Sequence, residues 1–210
     1  MWDEPFQRDP QNRFEKWFYW IFMALLGILF VCDLILDYQP RKVSAVFFLI
    51  SWMVLVAIHE LGHAIMAWVC GWSVKCIVVG FGRTIWTTNF WGVPMEWRTF
   101  PISGFVQTVP RDLSSPRYKD ALIYAAGPGV EILLAGMLIM MIRWDTMFAR
   151  TDHLGILTAQ SFAVAAMAGA LLNLIPMTIS SAGQQVPNDG MGIIRALRCK
   201  DSDYRELYEA

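Results

Sequence analysis

Charge is scarce in this sequence. Asp, Glu, Lys and Arg make up 17% of its 210 residues, against about 25% in an average soluble domain. What charge there is nearly cancels, to a formal net of −1. No basic excess points to nucleic acid. Histidine is rarer still, with three in the chain. Cysteine is limited to Cys32, Cys70, Cys76 and Cys199, with no CxxC spacing. That pattern argues against a disulfide framework and leaves reduced or buried thiols. Internal repeats and low-complexity tracts are missing. In their place stand 56% hydrophobic residues, including 10 Trp and 13 Phe. This composition excludes a disordered chain, a collagen and a coiled coil.

The apolar residues fall in four long blocks, Trp17 to Leu36, Val43 to Trp72, Ala121 to Ile142 and Leu154 to Ile179. A helix needs about 20 apolar residues to cross a bilayer. The blocks therefore predict four transmembrane helices in an all-α, multi-pass membrane protein. Block one opens on Trp17-Phe18-Tyr19-Trp20, the aromatic belt of a membrane interface. Its length, with no small-residue cleavage site after it, speaks against a signal peptide.

Basic residues orient the array. With the N-terminus inside, Arg8, Arg13, Lys16, Arg195, Arg198, Lys200 and Arg205 lie in the cytoplasm, with those of the loop Ser73 to Asp120. Only Arg41, Lys42, Arg143 and Arg150 lie outside. Both termini are expected in the cytoplasm. The Ser73–Asp120 loop holds β-like stretches, 74–79 and 83–88, punctuated by Gly80, Gly82, Gly92 and Pro94. Backbone at membrane depth must find hydrogen-bond partners, so a β-hairpin lying on or dipping into the cytoplasmic face fits best. The expected organisation is an N-terminal segment and extra helix over 1–42, a core over 43–197 with its β-rich, membrane-associated loop at 73–117, and a cytoplasmic tail over 198–210.

Chemistry concentrates in His59-Glu60-Leu61-Gly62-His63. Residues four apart share one helical face, so two imidazoles can ligate one zinc ion while the glutamate reaches water as general base. Ionisable groups in an apolar helix are costly and mark function. A catalytic zinc needs a third protein ligand and an open position. His153 is a poor third, because it starts block four on the opposite side. Asp189, in Pro187-Asn188-Asp189-Gly190 on the cytoplasmic side, is the best carboxylate.

These residues together resemble the site-2 protease family of intramembrane zinc metalloproteases. The resemblance rests on the His59–His63 motif, on Gly127-Pro128 in the following helix, and on Asn173-Leu174-Ile175-Pro176 followed by Asp189-Gly190. Pro101-Ile102-Ser103-Gly104-Phe105-Val106 is similar to the family's glycine-aromatic stretch. It implies an M50-type peptidase of a prokaryotic cell membrane with one Zn2+ per chain. His59, His63 and Asp189 would be its ligands and Glu60 its catalytic base. Asn173 would orient substrate or stabilise the oxyanion. Gly104, Phe105 and Val106 would hold an extended substrate by strand addition. The implied partners are a membrane protein or membrane-bound peptide as substrate, the lipid bilayer and a regulatory membrane protein.

Three departures separate this chain from the family pattern. Asn173 and Asp189 stand further apart than usual, with Ser180 to Gln185 reading as a flexible insertion within 177–188. Glu131 stands where the family often has Asn, and reads first as a helix-bundle hydrogen bond and second as a part in substrate or metal handling. Ser103 replaces one glycine. They motivate an alternative: a proteolytically silent homologue acting as a membrane binding or scaffold protein. A metal transporter is the weakest reading, because the ligands cluster in one helical turn instead of lining a route.

Overall fold

The computed structural model describes residues 13–181, 184–201 and 203–205. Two units separate, Met1–Val43 and Ser44–Ala210. The first contains α1 (Arg13–Leu36) and a 3-10 turn at Pro40–Val43. Lys42 Nζ closes the end of α1, at 2.8 Å from Asp33 and 3.0 Å from Asp37. The described apolar stretch of α1, Ala24–Leu36, is shorter than a bilayer crossing.

The second unit runs α2 (Ser44–Val69), β1 (Ser73–Phe90), β2 (Val93–Val109), α3 (Pro116–Ile142), α4 (Trp144–Met147), α5 (Leu154–Leu174), β3 (Thr178–Ser181), β4 (Gln184–Pro187) and α6 (Asp189–Arg198). Three helical stretches are long and apolar enough to cross a membrane: Pro40–Val69, Pro116–Ile142 and Leu154–Leu174. They expose a lipid-compatible surface, with Leu49, Ile50, Met53 and Val54 on α2 and Leu133, Met137, Met140 and Met141 on α3. So large an apolar surface on a soluble monomer would drive association.

Local chemistry explains where the helices end. Block two reads to Trp72, yet α2 stops at Val69. Gly71 takes φ +77 and Trp72 N–H returns to the Ala67 carbonyl at 2.8 Å, a glycine-terminated helix stop. Block four reads to Ile179, yet α5 stops at Leu174. Ile175 precedes Pro176 and is pushed to extended backbone, ψ 115. In the other direction α3 starts before Ala121, with Pro116 in its first turn, a place where proline costs nothing.

The β-region is one antiparallel pair, β1 with β2, instead of separate short strands. Its ladder turns a corner at Gly80 and Gly82, whose φ values are +96 and +95. Residues 77–79 of β1 pair with 104–106 on one side and 95–97 on the other, and 84–90 pair back with 93–98. The two glycines are therefore the bend within a strand. Phe81 and Phe100 stack at that bend, ring centroids 5.2 Å apart. Trp52 Nε1 of α2 donates to the Ile102 carbonyl at 3.4 Å, anchoring β2 to a membrane-length helix. Phe48, Leu49, Trp52, Met53, Phe100, Pro101 and Ile102 line an apolar cavity of about 490 Å³ beside this contact.

Helices α2, α3 and α5 pack on one another. Gly62 lets α2 approach α3 closely: a Cβ there would stand 2.9 Å from the Ala126 carbonyl oxygen. Near the C-terminus Tyr204 turns inward. Its hydroxyl donates to Asp120 Oδ2 at 2.8 Å, and its ring meets Trp72 edge-on.

Candidate metal centre

His59, Glu60 and His63 are all buried in α2, between 5% and 7% exposed. Within one helical turn, His59 Nε2 and His63 Nε2 converge to 3.1 Å. Convergence requires a smooth wall on α3. A Cβ on Gly127 would fall 2.6 Å from His59 Nε2 and equally close to His63 Cε1. Only glycine leaves space for both rings. One turn earlier on α3, the Ile123 carbonyl lies 2.6 Å from His63 Nδ1. That nitrogen carries the proton and donates, so Nε2 keeps a free lone pair. His59 Nδ1 faces Glu131 Oε2 at 3.3 Å.

Asp189 arrives from the other end of the chain. Its Oδ2 lies 2.9 Å from His59 Nε2 and its Oδ1 3.3 Å from His63 Nε2. The stretch read as a flexible insertion is a hairpin, β3 paired with β4. Asn188 closes its base. Its N–H donates to the Met177 carbonyl at 3.0 Å, and its Oδ1 accepts from Met177 N–H at 3.0 Å. Its Nδ2 donates to Leu172 and Ile175 carbonyls at 3.2 and 2.6 Å. The same Oδ1 caps α6 by accepting from Met191 N–H at 3.1 Å. One side chain thus ties the start of α6 to the last turn of α5, and Asp189 reaches the histidines across the longer spacing. Of these bonds only the helix cap has a local sequence signal, Asn directly before a helix start.

One ligand atom from each of His59, His63 and Asp189 forms a triangle with all sides within 4.8 Å; the two Nε2 atoms are 3.1 Å apart, with Asp189 Oδ2 at 2.9 Å from His59 and Oδ1 at 3.3 Å from His63. Tetrahedral zinc with bonds of about 2.0–2.1 Å sets its ligand atoms roughly 3.3 Å apart. Two imidazole nitrogens and one carboxylate are a catalytic donor set that leaves a fourth position open. The residues fit zinc. They are the one group of His, Cys, Asp and Glu among the described residues arranged to hold a metal ion.

Glu60 lies against β2. A Cβ on Gly104 would stand 2.7 Å from Glu60 Oε1, so the strand passes the carboxylate at the closest distance a glycine allows. Phe105 and Val106 continue that strand. Asn173 sits half-buried in the last turn of α5, and its side chain makes no hydrogen bond to His59, Glu60, His63 or Asp189. His153 caps the far end of α5 and is not in the group.

The chain matches a family model described as Peptidase family M50 over residues 47–199. That range takes in every residue of the triangle and Glu60. Zinc metalloprotease Rip1 of Mycobacterium tuberculosis is 29% identical over 111 residues, 46% of this chain and 28% of Rip1. A provisionally named zinc metalloprotease of Pasteurella multocida is 34% identical over 102 residues, 42% of this chain and 23% of that protein. The chain thus spans about a quarter of the length of these relatives.

Proposed function

The chain belongs to peptidase family M50, and from that premise we propose that it is an intramembrane zinc endopeptidase. It hydrolyses a peptide bond in or near a transmembrane segment of a substrate protein. The observation that carries this reading is the convergence of Asp189 on His59 and His63, with His59, Glu60 and His63 buried on a helix of membrane-spanning length. The intact carboxylate at Glu60 favours catalysis over a silent scaffold.

His59, His63 and Asp189 would hold one Zn2+ per chain. When bound, the ion supplies Lewis acidity and lowers the pKa of water toward neutrality. Glu60 takes the proton from the attacking water and passes it to the leaving amide nitrogen as the C–N bond breaks. The strand of Gly104, Phe105 and Val106 receives the substrate in extended form beside Glu60. That step is needed because a transmembrane helix hides its peptide groups in internal hydrogen bonds. The apolar cavity under Ile102 gives room to a substrate side chain. Asn173 lies close enough in chain to the end of α5 to orient substrate from that side.

In the proposed topology α1 is a fourth crossing ahead of the 43–197 core, and both termini lie in the cytoplasm. The proposed setting is a prokaryotic cell membrane, in keeping with the bacterial relatives. Membrane proteins serve as substrates, and a membrane partner serves as regulator.

Cleavage is tested on a mixture of peptides from a membrane proteome, in micelles, with new termini read by mass spectrometry. The expected termini cluster in apolar segments, vanish with a zinc chelator and return with added zinc. A preparation holding about one zinc per chain that generates no chelator-sensitive termini would refute the reading. A narrower prediction concerns the strand. Gly104→Val presses a side chain onto Glu60, and a displacement near 1 Å costs about 10²-fold in rate. Cleavage should fall by that order, with zinc content unchanged in the same preparation.

A further inference from the structure

Glu131 is a buried carboxylate that the proposed mechanism leaves unused. It lies on α3 four residues after Gly127 and is 3% exposed. Its Oε2 is 3.3 Å from His59 Nδ1, the ring atom on the far side from the ligand triangle. Both atoms are buried without a hydrogen bond to any described residue, and each is the other's charged or polar neighbour at ion-pair distance. The opposing helix is shaped to admit it. A Cβ on Gly169 of α5 would stand 2.9 Å from Glu131 Oε1 and 3.2 Å from Oε2. Three helices therefore meet at one carboxylate, in a setting where a carboxylate is expensive to keep.

The two histidines differ in what steadies them. His63 has a backbone carbonyl at Nδ1, from Ile123. At His59 the place of that carbonyl is taken by Glu131. A neutral imidazole carries one proton, and the nitrogen facing an acceptor keeps it, leaving the other as ligand. A carboxylate acceptor makes the imidazole a better donor to a cation, and loss of such a partner typically costs ~10–100-fold in metal affinity.

We propose that Glu131 is the positioning residue of the metal centre: from α3 it holds His59 with its proton on Nδ1 and Nε2 turned to the Asp189 side, in a space opened by Gly169. The inference rests on the reading of His59, His63 and Asp189 as zinc ligands. It gives Glu131 a purpose that helix packing does not require, since an apolar side chain would fill the same volume.

The test uses the full chain in detergent, loaded with zinc, with release followed by a chromophoric chelator. Glu131→Met should release zinc about 10–100-fold faster than wild type at a comparable thermal midpoint. Glu131→Gln, whose amide oxygen still accepts the Nδ1 proton, should fall between the two. Release from the Met variant at the wild-type rate would overturn the proposal. A measurement on the wild type keeps the test alive where the Met variant does not fold. With only three histidines, 15N-histidine spectra of the zinc-loaded chain resolve each ring. His59 should be metallated at Nε2 with a proton held on Nδ1. Metallation of His59 through Nδ1 would overturn the proposal even if zinc is bound. Wild type that takes up no zinc at all would overturn the ligand reading itself, and this inference with it.

Discussion

Glu60→Gln should remove cleavage and leave the metal in place. Glutamine has the volume of glutamate, so the packing around a side chain that is 5% exposed is preserved. Glu60 is not among the three converging ligands, so zinc content should stay near one per chain. What disappears is the group that accepts a proton from water. General-base catalysis contributes about 10²–10⁴-fold, and the rate should fall by that order. Chelator-sensitive termini measured on the wild type and the variant, with zinc measured on both, check it. Undiminished termini from the Gln variant would show that another group moves the proton.

Gly127→Ala should have an equally large effect through a different route. Its Cβ would meet both histidine rings at their ligating edge. Moving the helices apart would give up the close packing of Gly62 on α2 against the Ala126 carbonyl of α3. The rings must rotate, and the triangle opens. Zinc occupancy should drop at least about tenfold, as expected when ligand geometry is lost. Helix propensity runs the opposite way, since alanine is better than glycine by about 1 kcal/mol in a helix interior. The thermal midpoint of the metal-free chain should thus hold or rise while zinc binding fails. Stoichiometric zinc in the Ala variant would contradict the packing described above.

How much of this could be read in the sequence followed the range of each interaction. The His59–His63 spacing is local, and helix periodicity alone puts both rings and Glu60 on one turn. Asp189 could be named as a candidate from its side of the membrane. Its delivery could not be foreseen, because that depends on Asn188 bonding back across β3 and β4 to Met177, Leu172 and Ile175. Polar residues in an insertion look flexible until their pairing is known. Gly80 and Gly82 read as breaks between strands for a similar reason: a glycine marks a bend, and only the register tells whether the ladder continues through it. Gly127 was visible beside Pro128, while its reason, two imidazoles pressed against α3, is a contact between helices. Glu131 read as a helix-bundle hydrogen bond, and its neighbour proves to be His59. The apolar blocks marked the membrane-length helices, but their ends were set by Gly71 and Pro176, which hydropathy does not weigh.

Joint ligation of zinc by His59, His63 and Asp189 underlies every step above. Zinc per chain, measured by elemental analysis on detergent-purified wild type beside His63→Ala and Asp189→Ala, is the decisive experiment. About one zinc is expected in wild type, as for a single catalytic site, with clear loss in both variants. Zinc retained in Asp189→Ala, or little zinc in wild type despite supplied metal, would contradict it.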